Sequence, residues 1–161
     1  MDKVFHVKNS NDRKDWLENY DPKSVEIIDD ENIVSQMNIP VTSMCSHHHQ
    51  PVSGVAYIGI IAAQHLIGLS KYTRIAQWCA RRGTLQEELA NDIAREIGKA
   101  TGAKDLGVYI QAVHGCCENR GIMAHSSLTQ TTVLHGAFKS DPSVKKEFFD
   151  NVKLQQDWAP R

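Results

Sequence analysis

The sequence predicts an α+β fold in which two helices pack on one face of an antiparallel sheet. Three segments, residues 33–41, 52–61 and 106–113, are rich in Val, Ile and Tyr, as strands commonly are. Residues 70–83 and 84–101 instead place apolar side chains three or four positions apart, which is the period of an amphipathic helix. Strands therefore precede and follow a pair of helices, an order typical of α+β domains.

The other predicted elements complete a single domain, which we expect to span residues 25–154. Residues 1–24 are polar and are predicted to form an N-terminal arm, and residues 155–161 a loose C-terminal tail. Ser70 and Thr84 are expected to begin the two helices, because hydroxyl side chains cap helix N-termini. The sequence further predicts a strand at 25–28, one or two strands within 121–138, and a last helix capped by Asp141 and Pro142.

Composition and charge argue against several classes of partner. The chain has 161 residues, of which 41% are hydrophobic and 23% charged, and its formal net charge is -1. Such a charge gives no global attraction to nucleic acid or to an anionic membrane surface. No apolar run approaches the roughly twenty residues that cross a bilayer, and no secretion signal is recognised. Because the four cysteines favour reduced thiols or metal ligands over disulfides, we expect a cytoplasmic protein.

Two cysteine- and histidine-rich clusters predict a zinc site. Cys45 and His48 have a C-x-x-H spacing, which lets one turn direct a thiolate and an imidazole at the same point. A third ligand is expected from the second cluster, either Cys116 or Cys117, which would leave the fourth position open as in a catalytic zinc site. If Cys117 or His49 completed the shell instead, the site would be structural.

Several motifs of the chain together resemble those of GTP cyclohydrolase I. They are the zinc turn Met44-Cys45-Ser46-His47-His48, the helix start Ile67-Gly68-Leu69-Ser70-Lys71-Tyr72-Thr73-Arg74-Ile75, the pair Gln86-Glu87, the His-x-Cys at His114 and Cys116, and Arg120-Gly121. The resemblance runs without large gaps from about residue 32 to residue 149, roughly three quarters of the chain.

The resemblance implies a T-fold whose subunits join edge to edge into a toroidal barrel. In that family two pentameric rings stack into a decamer, and the active sites lie between subunits. The implied reaction is zinc-dependent hydrolysis of GTP at guanine C8, which releases formate and forms 7,8-dihydroneopterin triphosphate. That product enters pterin pathways such as tetrahydrofolate biosynthesis and so serves one-carbon metabolism.

The resemblance also implies roles for the residues at the metal. Cys45, His48 and Cys116 correspond to the family's zinc ligands, which makes Cys116 rather than its neighbour the third ligand. His47 and His114 correspond to its catalytic histidines, with His114 expected to protonate the purine nitrogen next to C8. Histidine suits this role because its pKa lies near neutral pH.

Residues that bind the substrate are implied in the same way. Ser70, Lys71, Arg74 and Arg120 match the triphosphate site, and a helix N-terminus carrying cations is well suited to an anion. Gln86 and Glu87 match the guanine site, where the carboxylate would accept hydrogen bonds from N1 and the amino group.

The structural alternative for this glutamate is local. Glu87 stands three residues after Thr84, the spacing of a capping box that would by itself explain a glutamate at this position. One carboxylate cannot fully serve both roles. Of the two, we favour the contact with guanine that the resemblance implies.

The chain departs from the family pattern close to the metal. Ser46 replaces a glutamate, His49 replaces an apolar residue, and residues 115–119 lack the usual methionines. These changes motivate an alternative function, in which a T-fold protein binds zinc and a purine or pterin without turnover.

Overall fold

The fold is an antiparallel sheet with helices on both faces. The computed structural model describes residues 32–62, 66–125 and 127–157. The strands in this part of the chain are β1 (Ile33–Met44), β2 (Pro51–Ile61), β3 (Leu106–His114) and β4 (Thr129–His135). Its helices are α1 (Leu69–Ala80), α2 (Gln86–Thr101), α3 (Gly115–Glu118), α4 (Ala137–Ser140) and α5 (Pro142–Asp157). None of these helices is long and apolar enough to cross a membrane.

The four strands form one sheet in the order β1-β2-β3-β4, and each neighbouring pair is antiparallel. β1 and β2 make a hairpin that closes at the pair Met44 and Pro51. The register of this hairpin shifts between Gln36 and Ile39, where Asn38 has a φ of 55°. Within the described residues β1 and β4 are the edges of the sheet, each with a strand neighbour on one side only.

One face of the sheet is covered by α1 and α2, as the sequence predicted. Ile58 and Ile110 of the sheet are fully buried in one apolar cluster with Ile75 of α1 and Ile93 of α2. Burial of four large aliphatic side chains contributes roughly 1.5 to 3 kcal/mol each. The apolar stripes that predicted the two helices are therefore the surfaces that hold them on the sheet.

The opposite face is covered by α4 and α5. Phe138 of α4 and Phe148 of α5 are fully buried and meet edge to face, with ring centroids 5.5 Å apart. They lie over Gly59 and Gly107, which pair across β2 and β3. A Cβ at Gly59 would come within 2.8 Å of Phe148, and one at Gly107 within 2.9 Å of Phe138. The paired glycines thus make the hollow that seats the aromatic rings.

Three predicted boundaries are wrong. α1 begins after Gly68, so Ser70 lies inside its first turn and does not cap it. α2 begins at Gln86 rather than at Thr84, and its N-cap Leu85 supplies no side-chain hydrogen bond. The expected tail from residue 155 onward is helical as far as 157.

Of the other predicted boundaries, some are confirmed and some fall outside the described residues. Asp141 caps the last helix as predicted, since its carboxylate accepts a 2.7 Å hydrogen bond from the Ser143 N–H. Between residues 121 and 138 the described part of the chain contains one strand, β4. The predicted N-terminal arm and the strand at 25–28 lie outside the described residues.

Gly54 is expected to be essential for the pairing of β2 with β3. A Cβ at this position would lie 2.1 Å from the carbonyl oxygen of Gln111, a backbone atom that cannot move aside without breaking the pairing. We expect Gly54→Ala to destabilise the protein by about 1 to 3 kcal/mol. The control is Gly68→Ala, because a Cβ at Gly68 meets nothing within 4 Å; loss of a favourable N-cap residue should cost it about 1 kcal/mol or less.

Urea unfolding at one fixed protein concentration measures the difference between these two variants. The Gly54→Ala midpoint should fall well below that of Gly68→Ala. Equal midpoints would show that the strands tolerate a side chain at residue 54.

Candidate metal centre

The hairpin loop between β1 and β2 holds the first two predicted ligands. The N–H of Cys45 donates to the carbonyl of Gln50 at 2.9 Å, and the N–H of His49 donates to the carbonyl of Cys45 at 2.8 Å. The second bond closes one helix-like turn, which His49 ends with a φ of 51°. Residues three apart on such a turn lie on the same side, so Cys45 and His48 face a common point.

The pairing of β2 with β3 brings the second cluster to this loop. Val52, next to the start of β2, pairs with His114 at the end of β3. The chain then turns directly into α3, with Gly115 packed so closely on Pro51 that a Cβ would lie 3.1 Å from the Pro51 carbonyl oxygen. Cys116 therefore enters the site one residue after this close contact.

The ligand atoms of Cys45, His48 and Cys116 converge. All three atoms lie within 4.8 Å of one another. Among the described residues, these side chains form the group that could hold a metal ion. Cys117 and His49, the rival ligands, are not part of this group, although the Cys117 sulfur lies 4.0 Å from that of Cys116. Two thiols and one imidazole form a donor set that suits zinc and leaves a tetrahedral shell incomplete.

The surroundings of the three side chains shift their pKa values. Partial desolvation lowers the pKa of His48, and the adjacent His47 and the positive charge of Arg120 lower it further. Desolvation raises the pKa of Cys116, with a further contribution from two neighbouring thiols. His48 is thus favoured as the neutral imidazole that a metal requires, whereas the Cys116 thiol must lose its proton on binding.

A second pair of predicted residues meets beside the metal ligands. Nε2 of His114, two residues before Cys116, lies 2.7 Å from Oε1 of Gln86 at the start of α2. Gln86 is buried, with 3% of its surface exposed, and its amide nitrogen contacts acceptors on β3 and β4. The structure therefore gives the Gln86 amide partners within the chain itself.

The protein-family model described as GTP cyclohydrolase I matches residues 2–153. This chain belongs to the GTP cyclohydrolase I family. The resemblance carried by the motif residues is thereby confirmed.

Relatives named GTP cyclohydrolase 1 align with most of the chain. The one from Flavobacterium johnsoniae is 42% identical over 119 residues, covering 74% of this chain and 53% of the relative. The one from Pseudoalteromonas translucida is 36% identical over 137 residues, covering 85% and 74%. The chain thus spans between about half and three quarters of the length of these two relatives.

One solved structure shows a distant likeness to this member of the GTP cyclohydrolase I family. The archaeosine synthase QueF-Like in the apo form has a TM-score of 0.49 and 14% identity, covering 65% of this chain and 93% of that one.

Glu87 of this GTP cyclohydrolase I family member does not form the predicted capping box. The Thr84 hydroxyl donates to the carboxylate of Glu88 instead, and α2 has no side-chain hydrogen bond at its N-cap. Glu87 itself is exposed on the first turn of α2, next to Gln86. The structural explanation for this glutamate is therefore wrong, and its carboxylate remains available for a ligand.

The predicted phosphate-binding residues divide between the two ends of the sheet. Arg120 is close enough to His48 to lower its pKa, so it lies at the metal end. Ser70, Lys71 and Arg74 lie at the start of α1, which follows the far end of β2.

The other end of α1 is the one that approaches the candidate metal ligands. The Gln77 side chain donates to the carbonyl of Pro40 at 3.4 Å, and a Cβ at Gly83 would lie 3.4 Å from the Met44 carbonyl oxygen. A helix of 12 residues is about 18 Å long. The start of α1 therefore lies about one helix length beyond the end that approaches the hairpin loop.

Thr129 and Thr131 were not predicted as part of the site. They hold the Gln86 amide through a backbone carbonyl and a hydroxyl, both at 3.1 Å from its nitrogen. Their sequence gives no signal for this role, because the contacts join residues 43 and 45 positions apart.

His47, predicted as catalytic, is exposed, and its ring centroid lies 4.3 Å from that of His48.

Proposed function

We propose that this protein catalyses the zinc-dependent hydrolysis of GTP at guanine C8, releasing formate and forming 7,8-dihydroneopterin triphosphate. Family membership supports the reaction class. The observation that carries the proposal is the convergence of Cys45, His48 and Cys116 within 4.8 Å, a group of three ligands where a tetrahedral zinc takes four. The product belongs to pterin chemistry and, through it, to tetrahydrofolate biosynthesis.

The metal and the histidines divide the chemistry between them. Cys45, His48 and Cys116 hold the zinc in this proposal, and when bound it supplies a Lewis acid that activates water for attack at C8. We assign His114 to protonate the ring nitrogen next to C8, which makes that carbon more electrophilic. We assign His47, exposed beside His48, to proton transfer at the same site.

Guanine recognition is assigned to Glu87. Its exposed carboxylate on the first turn of α2 can accept hydrogen bonds from both N1–H and the amino group of guanine. Adenine presents no donor at N1 and no amino group at the corresponding carbon, so it would leave the carboxylate unpaired. Selection for guanine follows from that difference.

The triphosphate is assigned to Ser70, Lys71, Arg74 and Arg120. The first three lie on the opening turns of α1, where the helix dipole favours negative charge. Desolvation lowers the pKa of Lys71, and the like charge of Arg74 lowers it further. A bound polyphosphate would relieve that repulsion, so this end of the helix is electrostatically prepared for an anion.

We further propose that the active site is completed between subunits. The start of α1 lies about 18 Å, the length of that helix, beyond the end that approaches the hairpin loop, so a second subunit is the better source of these cations. β1 and β4 are sheet edges in the described structure, and joining such edges around a ring would cover both. Two stacked pentameric rings, a decamer, are the expected assembly, and a solution mass measurement tests it.

Turnover is tested by supplying the zinc-loaded protein with GTP. We expect stoichiometric formate, together with a product that becomes fluorescent on oxidation as a pterin does. ATP at the same concentration serves as the control and should yield neither. Binding of GTP without formate would overturn the proposal in favour of a zinc- and purine-binding protein that lacks turnover.

Removing one phosphate-binding cation should weaken substrate binding. We expect Arg74→Ala and Arg120→Ala each to raise KM for GTP by about 10- to 100-fold, since a charge-assisted hydrogen bond contributes roughly 1.5 to 3 kcal/mol. Lys153→Ala, which removes an exposed cation on α5, is the matched control and should leave KM unchanged. Steady-state kinetics at constant ionic strength measure the effect; equal KM values in all three variants would remove the assigned phosphate site.

A further inference from the structure

The orientation of the Gln86 side-chain amide is determined by its surroundings. Its nitrogen lies 3.1 Å from the carbonyl oxygen of Thr129, 3.3 Å from that of Ile110 and 3.1 Å from the hydroxyl of Thr131. Carbonyl oxygens only accept hydrogen bonds, so the amide group that faces them must be the NH₂ donor. Turning the amide over would place two pairs of acceptor oxygens in contact inside a buried site.

The orientation of the amide has a chemical consequence for His114. With the NH₂ group committed to the strands, Oε1 of Gln86 is left facing Nε2 of His114 at 2.7 Å. An amide oxygen cannot donate, so this short contact requires a proton on Nε2. We infer that Gln86 is a positioning residue, which holds the His114 ring in one orientation through its Nε2–H and leaves Nδ1 as the ring nitrogen that Gln86 does not engage.

This inference rests on the proposed function for the identity of the substrate, but the hydrogen bond itself does not depend on it. A ring held through Nε2 keeps one orientation, which is what a positioned catalytic group requires. Histidine ligands of metals are commonly oriented by a hydrogen bond from their second ring nitrogen. Here the same kind of hydrogen bond orients a histidine that lies beside the candidate metal site.

A purely structural role for Gln86 is the alternative to be tested. Its amide nitrogen also ties the start of α2 to β3 and β4, and this function does not require its oxygen. Two variants separate these roles. Gln86→Met keeps the length of the side chain but removes both the donor and the acceptor, whereas Thr131→Val removes one acceptor of the amide and leaves the contact with His114 intact.

The deciding experiment is ¹⁵N NMR of the zinc-loaded protein labelled at histidine, with the His114 signals assigned by their loss in His114→Gln. The two ring nitrogens of a neutral imidazole differ strongly in chemical shift according to which carries the proton. We expect Nε2–H in the wild type and in Thr131→Val, and a mixture of both forms in Gln86→Met. We also expect kcat for formate release to fall by about 10²- to 10⁴-fold in Gln86→Met and by less than about tenfold in Thr131→Val.

The outcomes distinguish this inference from the proposed function. An Nδ1–H form of His114 in the wild type would overturn the inference, and this result needs no variant to fold. An unchanged Nε2–H signal in Gln86→Met would overturn it as well. Conversely, a Gln86-dependent Nε2–H signal in a protein that releases no formate from GTP would support the inference and refute the proposed function.

Discussion

Replacing Cys116 with serine is expected to remove zinc from the protein, whereas replacing Cys117 with serine is expected to leave it bound. The two cysteines are neighbours on α3 with sulfurs 4.0 Å apart, yet Cys116 is the one that belongs to the converging group. A serine hydroxyl is a poor ligand for zinc compared with a thiolate. Because loss of a mere supporting partner costs a metal site about 10- to 100-fold in affinity, loss of a ligand should cost more.

The measurement for this pair is zinc content after dialysis against a weak chelator, followed by formate release from GTP. Cys116→Ser should retain almost no metal and almost no activity, and Cys117→Ser should retain about one zinc per chain. The variants are chemically identical and one residue apart, so general damage to α3 would affect both. Zinc loss in Cys117→Ser alone would mean that the third ligand has been assigned to the wrong cysteine.

Replacing His114 with alanine is expected to stop formate release while leaving the zinc and the assembly in place. The loss should amount to about 10²- to 10⁴-fold in kcat, the usual contribution of a positioned general acid. The variant leaves Oε1 of Gln86 without its partner at 2.7 Å, which should destabilise the protein by about 1 to 3 kcal/mol.

His135→Ala is the control for this second prediction, because that histidine is exposed at the end of β4. Zinc content, solution mass and single-turnover formate release should be measured on both variants. Full turnover by His114→Ala would remove its role as the acid, and loss of zinc in that variant would show that it serves the metal instead.

Much of the candidate metal site could be predicted because two of its three candidate ligands follow local spacing. Cys45 and His48 lie on one turn, and a C-x-x-H pair specifies that geometry without knowledge of the rest of the chain. Spacing alone could not choose between Cys116 and Cys117. The choice depends on the close contact of Gly115 with Pro51, which follows from the pairing of two strands distant in sequence.

The fold was predictable where the apolar period was long and unpredictable where a single contact decided the outcome. The apolar stripes of α1 and α2 predicted both helices. The predicted start of α1 was wrong, because Ser70 is a favourable N-cap residue but does not cap this helix. The cover of the second face by α5 depends on the pairing of Gly59 with Gly107. A glycine within a strand indicates a close approach, but it does not identify the partner.

The hydrogen bonds around Gln86 show most clearly which contacts cannot be predicted from the sequence. The glutamine was predicted as a substrate contact through the resemblance, and its side chain is found bonded to groups 24, 28, 43 and 45 positions away. No local pattern encodes contacts of this kind, because they exist only after α2 has packed against β3 and β4. The guanine contacts predicted for Gln86 and Glu87 both remain predictions, and of the two side chains only that of Glu87 is exposed.

X-ray absorption at the zinc edge of the purified protein tests the central claim most directly. We expect a shell of two sulfurs at about 2.3 Å, from Cys45 and Cys116, and two lighter atoms at about 2.0 Å, of which one belongs to a single imidazole and the other to solvent. A shell with three sulfurs, or with two imidazoles, would be a closed structural site. Either result would contradict an active centre with a position open to water.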